Sequence, residues 1–310
     1  MHSELPAIIE LWSPSFRIGS ILALVAFFYC RGWLRLRHKV PRKAISVLQL
    51  AGFLGGLFSV WVAVGSPLAE LDEALLSIHM VQHLTLMVIA PPLILLGAPV
   101  LALLQGLPRR TVRIVWGLLF RWHPVEWLAG ILTRPLVCWA AAMSALIGWH
   151  LPVVFELALR SDLWHEAEHA CFLATGLLFW IPVIQPWPII AKWPRWSIPL
   201  YLFFATLPCD ALSAFLAFCD RIVYSSYLSA PRVFAISPLA DQQCAGALMW
   251  AFTTFAYLIP AVIITVQILS PSPARNRQQT LGDFAGVTWG RSSSHDAEAV
   301  PCWWQVGRRH

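Results

Sequence analysis

The sequence predicts an all-α polytopic membrane protein, a bundle of seven transmembrane helices. Of its 310 residues, 58% are hydrophobic and only 12% are charged, whereas soluble domains carry about 25% charged residues. The apolar residues form runs long enough to cross a bilayer, which takes about 20 residues of helix. Seventeen tryptophans fit interfacial aromatic belts. Seven scattered cysteines without a CxxC motif argue against a disulfide framework or a structural zinc site.

The apolar runs place the seven spans in order along the chain. We predict them at about residues 17–33, 44–64, 77–104, 133–150, 165–187, 197–219 and 244–269. The second run contains Gly52 and Gly56, a GxxxG spacing that lets another helix pack closely. Pro91 and Pro92 in the third run remove backbone donors, so we expect a kink there. Residues 1–16 have no basic region or cleavage site, so we expect no removable signal peptide.

Two segments outside the spans have their own patterns. Residues 108–128 alternate arginines with apolar residues at helical spacing, which predicts an amphipathic helix lying in the membrane interface. The residues from 270 to 310 are polar and contain proline and serine, which predicts a disordered tail. The sequence therefore divides into a membrane domain, residues 1–269, and a cytoplasmic tail.

The distribution of positive charge predicts the orientation. The link after the first span has six Lys or Arg residues, the next link has none, the segment after the third span has five, and the tail has five. The positive-inside rule then places the N-terminus outside and the C-terminus in the cytoplasm. Because the net charge of +6 lies in these loops, topology accounts for it and no nucleic-acid partner is expected.

With this orientation, five of the ten histidines fall at the outer membrane face. They are His79, His83, His150, His165 and His169. Two pairs have i, i+4 spacing, which puts both rings on one helix face and suits two imidazoles on one metal. Ionisable groups in a membrane are costly and usually mark a functional site. We predict that the two pairs form one metal site, with His150 approaching from the end of the fourth span.

Three other interpretations of these histidines stay open. Residues 165–169, HEAEH, fit the HExxH motif of soluble metalloproteases, so a membrane metallohydrolase using His165, Glu166 and His169 is one alternative. A metal transporter is a second alternative, since an ion pathway also needs intramembrane polar groups. Histidines that serve only as interfacial anchors are the structural alternative. A diheme cytochrome fits less well, because it needs histidine pairs at both membrane faces.

The neighbours of the histidines favour copper. Met80 borders the first pair, Met87 lies one turn below it, and Met249 lies in the seventh span. Thioether with imidazole favours copper, so we expect Cu(I). Polar or thioether side chains near the rings are expected to orient the imidazoles. They are Glu166, Glu168, Asp241 and Met80.

Several strings in this order resemble the CtaG family, the membrane assembly factors of caa-type cytochrome c oxidases. This family is distinct from the soluble-domain proteins that share the name. The strings are His79-Met80-Val81-Gln82-His83 with Pro91-Pro92, Trp149-His150-Leu151-Pro152, His165-Glu166-Ala167-Glu168-His169 followed by Phe179-Trp180, and Leu239-Ala240-Asp241-Gln242-Gln243. The resemblance covers about residues 18–270. The polar tail and Cys244 depart from the family pattern.

The resemblance implies a multi-pass protein in the lipid bilayer of the bacterial inner (plasma) membrane that is not itself an enzyme. It implies that the protein holds copper at the outer face and delivers it to the catalytic subunit of apo-cytochrome c oxidase. A periplasmic copper chaperone is a further expected partner. The matching positions are His79, His83, His150, His165, His169 and Asp241.

Overall fold

Every regular element that the structure, a computed structural model, describes is helical. The described residues are 16–39, 45–66, 69, 71–108, 110–112, 123–186, 193–230 and 235–270. The α-helices are α1 (Phe16–Lys39), α2 (Val47–Gly65), α3 (Leu76–Leu84), α4 (Ala90–Leu96), α5 (Pro99–Gly106), α6 (His123–Leu132), α7 (Pro135–Trp149), α8 (Pro152–Leu159), α9 (Asp162–Ile184), α10 (Ser197–Phe218) and α11 (Pro238–Leu269). A π-helical segment, Thr85–Ile89, joins α3 to α4, and a 3₁₀ turn covers Ser225–Leu228.

Six continuous helices are long and apolar enough to cross a membrane. They are Phe16–Lys39, Val47–Gly65, Leu76–Leu96, Asp162–Ile184, Ser197–Phe218 and Pro238–Leu269. The pair α7 and α8 passes the same test together but is bent by 75° at the break, and counting it gives seven spans. The all-helical, polytopic class is therefore confirmed with six or seven candidate spans, and the helix predicted as the fourth span is interrupted at His150 and Leu151.

The third span ends earlier than predicted, at Leu96 instead of about residue 104. Ala98 adopts a left-handed backbone conformation with φ 47°, and Pro99 then begins the separate helix α5. Helix α5 packs against α1, where Gly32 lies so close to the Ala102 carbonyl that a Cβ atom would overlap it. The left-handed residue Ala98 therefore ends the span, and residues 99–106 pack on α1 as a separate helix.

The chain accommodates Pro91 and Pro92 through the π-helical segment that precedes them. Because Pro91 has no N–H, the Met87 carbonyl lacks the donor that a regular α-helix would give it. The indole Nε1 of Trp180 on α9 donates to that carbonyl at 3.1 Å. Gly176 lies on the same side of α9, where an added Cβ would be 2.9 Å from both Cα and O of Met87. The irregular segment is thus the surface on which α9 packs.

The predicted interfacial helix lies partly outside the described residues, which omit 113–122. Its far end is described as α6, which runs from His123 to Leu132, four residues past the predicted limit of 128. Helix α11 begins at Pro238, six residues before the predicted start, because the Ser237 hydroxyl caps it by accepting from the Ala240 amide at 3.2 Å. The tail after residue 270 also lies outside the described residues.

The GxxxG pair packs as predicted, and two adjacent glycines allow a matched test. A Cβ on Gly56 would lie 2.9 Å from the Ile94 backbone nitrogen, whereas a Cβ on Gly55 would meet nothing within 4 Å. We expect Gly56→Ala to lower the free energy of unfolding by about 1–3 kcal/mol through overpacking. Gly55→Ala should leave it unchanged or slightly higher, since alanine favours helix. Thermal unfolding in detergent measures both, and equal stabilities would contradict this packing.

Candidate metal centre

Helix α3 presents the first histidine pair to the interior of the bundle. His79 is 0% exposed and His83 4% exposed, and their ring centroids lie 4.2 Å apart. The amides that begin α3 donate to Asp241 on α11, from Leu76 to Oδ2 at 2.6 Å and from Ser77 to Oδ1 at 3.2 Å. Asp241 was predicted to orient an imidazole, and the contacts that the structure gives its carboxylate are with these amides. Its carboxylate caps α3, where a negative charge at a helix N-terminus is favourable.

Helix α9 presents its own three polar residues to α3. They are His165, Glu168 and His169, at positions i, i+3 and i+4, and Glu168 is 0% exposed. Glu166 lies on another side of α9, where its exposed carboxylate pairs with Arg17 of α1. Glu166 was predicted to orient an imidazole, and the structure instead places it in a surface ion pair.

Six side chains from three segments form one group, which we call the imidazole–carboxylate cluster. Its members are Asp72, His79, His83, His165, Glu168 and His169. Oε1 of Glu168 lies 3.4 Å from Nε2 of His83 and 3.8 Å from Nε2 of His79. Oδ2 of Asp72 lies 3.1 Å from Nε2 of His165 and 3.8 Å from Nδ1 of His79. His79 therefore stands between the two carboxylates.

The cluster contains two sets of three donor atoms, each set lying within 4.8 Å, and His79 belongs to both. The sets are Asp72 with His79 and His165, and His79 with His83 and Glu168. Both Nε2 and Nδ1 of His79 and His83, and both carboxylate oxygens of Glu168, are buried without a hydrogen bond. Buried polar atoms normally have partners, and leaving them unpaired is costly. This donor set therefore fits one or two metal ions.

The predicted convergence of the two histidine pairs is present, whereas the role of the rings as metal ligands stays a prediction. His79 and His165 stack with ring centroids 5.6 Å apart, and the rings of His83 and His169 are 5.8 Å apart. Each pair lies within the first turns of its helix, as expected. The faces that carry the rings turn inward instead of towards lipid, which argues against simple interfacial anchors.

Asp72 is the member that sequence reasoning missed. It lies in a turn before α3 and is 1% exposed. Burial alone raises the pKa of a carboxyl group, but the imidazoles of His165 and His79 hold the pKa of Asp72 below its usual range. Asp72 is therefore a carboxylate and a competent ligand. No periodic signal marked Asp72, because it lies in a turn before the helix begins.

Two tyrosines in the loop between α10 and α11 hold the backbone around the cluster. Tyr227 donates from its hydroxyl to the Asp72 carbonyl at 2.8 Å, and Tyr224 donates to the His150 carbonyl at 3.0 Å. Burial raises the pKa of both hydroxyls above the usual range, so they stay protonated and can donate. Both bonds end on backbone oxygens, and the ligand atoms of the cluster are left free of them.

His150 and Met80 lie beside the cluster but face each other. Nε2 of His150 is 3.3 Å from Sδ of Met80, and its ring centroid is 6.1 Å from that of His83. Neither His150 nor His169 belongs to the two donor sets found among the described residues. His150 therefore adjoins the cluster through His83, while its Nε2 faces a thioether.

Comparison with known proteins gives the family. The sequence profile described as "Cytochrome c oxidase caa3 assembly factor (Caa3_CtaG)" matches residues 27–270. The uncharacterised protein Mb0105 of Mycobacterium bovis is 24% identical over 280 residues, which is 87% of this chain and 40% of that protein. The uncharacterised protein ML1998 of Mycobacterium leprae is 24% identical over 270 residues, 84% of this chain and 39% of that protein.

The chain thus spans about 40% of the length of the first of these curated relatives. No solved structure matches it. The family profile, however, covers most of the chain and includes every member of the imidazole–carboxylate cluster. The chain therefore belongs to the family of cytochrome c oxidase caa3 assembly factors.

Proposed function

We propose that this protein is an assembly factor for cytochrome c oxidase. It holds copper in the imidazole–carboxylate cluster at the outer face of a bacterial inner membrane and delivers it to the catalytic subunit of the apo-oxidase. The observation that carries the proposal is the Glu168 carboxylate, fully buried between His79 and His83 with no hydrogen bond to either oxygen. Burying a carboxyl group without hydrogen-bond partners is costly, and a metal ion beside it would offset that cost.

The donors of the cluster suit a borderline divalent ion. Imidazole nitrogens bind copper and zinc, and nitrogen with oxygen donors is typical of Cu(II). Two carboxylates, Asp72 and Glu168, also offset the charge of a divalent ion. The sequence favoured Cu(I) because of nearby methionines, but Sδ of Met80 faces Nε2 of His150 at 3.3 Å, and the cluster itself combines imidazoles with two carboxylates. We therefore assign the cluster to divalent copper as cargo.

The position of Glu166 favours metal holding over hydrolysis. In an HExxH hydrolase the glutamate acts as the general base and must face the metal-bound water. Here Glu166 is directed away from His79 and pairs with Arg17 at the exposed surface of the bundle. A transporter would need polar groups throughout the depth of the membrane, whereas the cluster is confined to one end of α3 and α9. A holding role without catalysis fits both observations.

The orientation belongs to the same proposal. Arg35, near the end of α1, donates to the Gln105 carbonyl at 2.7 Å. Gln105 lies beyond the far end of the span that begins with His79, so the basic end of α1 and the cluster lie at opposite ends of that span. The positive-inside rule then places the cluster outside. In that compartment a periplasmic copper chaperone and the oxidase subunit could both reach it.

The orientation predicts the location of two inserted reporters. A reporter that works only in the cytoplasm should be active when it is fused after Leu269, because we propose an outside N-terminus and seven spans. A reporter that works only outside the cytoplasm should be active when it is inserted at Ser161, between α8 and α9. Paired phosphatase and fluorescent-protein fusions measure both. The reverse pattern would put the cluster on the cytoplasmic side and end the delivery proposal.

The two glutamates of HEAEH provide a matched pair of variants for the metal site. We expect Glu168→Gln to weaken Cu(II) and Zn(II) binding at least tenfold, because it removes an anionic donor between His79 and His83. Glu166→Gln should leave affinity unchanged, because its side chain contacts Arg17. Calorimetric titration of the detergent-purified protein measures both affinities. Oxidase copper content in cells that carry each variant tests delivery.

If the protein were a hydrolase, the variants Glu166→Gln and Glu168→Gln would behave differently. There, Glu166→Gln would abolish function while the metal stays bound. Loss of oxidase assembly in Glu166→Gln with full metal occupancy would therefore contradict the holding role. Unchanged Cu(II) and Zn(II) affinity in Glu168→Gln would show that the cluster is not the metal site.

A further inference from the structure

A small cavity of about 20 Å³ lies next to the imidazole–carboxylate cluster, deeper along the third span. This space holds one water-sized particle. Its potential ligands are the thioethers of Met80, Met87 and Met249, the imidazoles of His83 and His150, and the thiol of Cys209. The described residues that line it include no carboxylate. Its donors are therefore softer than those of the cluster and include no carboxylate charge.

The orientation of His150 leaves a lone pair pointing into this group of donors. Its Nδ1 lies 2.7 Å from the Leu146 carbonyl oxygen. A carbonyl only accepts, so Nδ1 carries the proton, and Nε2 of the neutral ring has an unprotonated lone pair. That Nε2 lies 3.3 Å from Sδ of Met80, which is also only an acceptor. Two acceptors thus face each other in a buried position without a proton between them.

A metal ion bound to both Nε2 of His150 and Sδ of Met80 would make this contact favourable. Two ligand bonds of about 2.0 and 2.3 Å, as for nitrogen and sulfur on a first-row metal, span 3.3 Å at an angle close to tetrahedral. Thioether and imidazole donors together select Cu(I) over harder ions. Uncharged ligands also favour an ion with a single positive charge, because a second charge would be buried without compensation.

We propose that this cavity is a second metal site, distinct from the cluster, which binds Cu(I) through Nε2 of His150 and Sδ of Met80. The thioethers of Met87 and Met249 line the same space and complete the soft environment. His83 forms the wall between the sites, since it lines the cavity and also lies 3.4 Å from Glu168. The inference rests on the proposed function only in taking copper as the physiological ion.

Conservative variants of two buried methionines test the site. Met80→Leu removes the sulfur at nearly constant volume, which usually costs less than about 1.5 kcal/mol. Met143→Leu is the control, because Met143 is 3% exposed but does not line the cavity. The purified protein is titrated anaerobically with Cu(I) against bicinchoninate, and separately with Zn(II). Met80→Leu should weaken Cu(I) binding at least tenfold and leave Zn(II) binding unchanged, whereas Met143→Leu should change neither.

Glu168→Gln is the reciprocal variant, and it should weaken Zn(II) binding while Cu(I) binding stays within about threefold of wild type. X-ray absorption of the Cu(I)-loaded protein should show sulfur neighbours that Met80→Leu reduces. Wild-type Cu(I) affinity in Met80→Leu would overturn the inference, as would loss of both ions in Glu168→Gln. Normal oxidase copper in cells that lack this protein would contradict the proposed function and leave the cavity site standing. Thermal unfolding of each variant confirms that it is folded.

Discussion

The contact between α9 and the irregular third span fixes the geometry on which the cluster depends. Gly176 allows the backbone of α9 to approach Met87, and Trp180 donates to the Met87 carbonyl that Pro91 leaves free. From Gly176 to His169 is seven residues, or two helical turns, and from Met87 back to His83 is about one turn. One contact in the middle of the membrane thus sets the register that brings the two histidine pairs together.

The buried carboxylates are the physical basis for the cation that we propose in the cluster. Asp72 and Glu168 are 1% and 0% exposed, and the hydroxyls of Tyr224 and Tyr227 bind backbone carbonyls instead of these oxygens. The cluster buries two carboxylates close together, and burying charge that is not paired costs several kcal/mol per ion. A divalent ion shared among the donors offsets that cost. The same reasoning makes the cavity at His150, whose ligating side chains are neutral, suited to a monovalent ion.

The periodicity of the sequence predicted the features that depend on a single helix. It did not predict the positions of side chains where the chain changes direction. The apolar runs and the i, i+4 spacing of His79 with His83 follow from one helix each, and both were correct. Asp72 was missed because it lies in a turn, where no periodic pattern tells which way a side chain points. Asp241 was predicted to orient an imidazole, but α11 begins earlier than hydropathy suggests, and in its first turn Asp241 accepts from the amides that begin α3.

The motif HEAEH shows most clearly where local reasoning ends. At 100° per residue, Glu166 and Glu168 lie about 80° to either side of the direction shared by His165 and His169. The helix alone therefore gives no preference for which glutamate meets a metal held by the two rings. In this bundle α3 packs on the Glu168 side, where Glu168 reaches His79 and His83, and α1 provides Arg17 on the Glu166 side. The neighbouring helices α1 and α3 thus decide which glutamate is buried beside the histidines. The motif alone does not specify it.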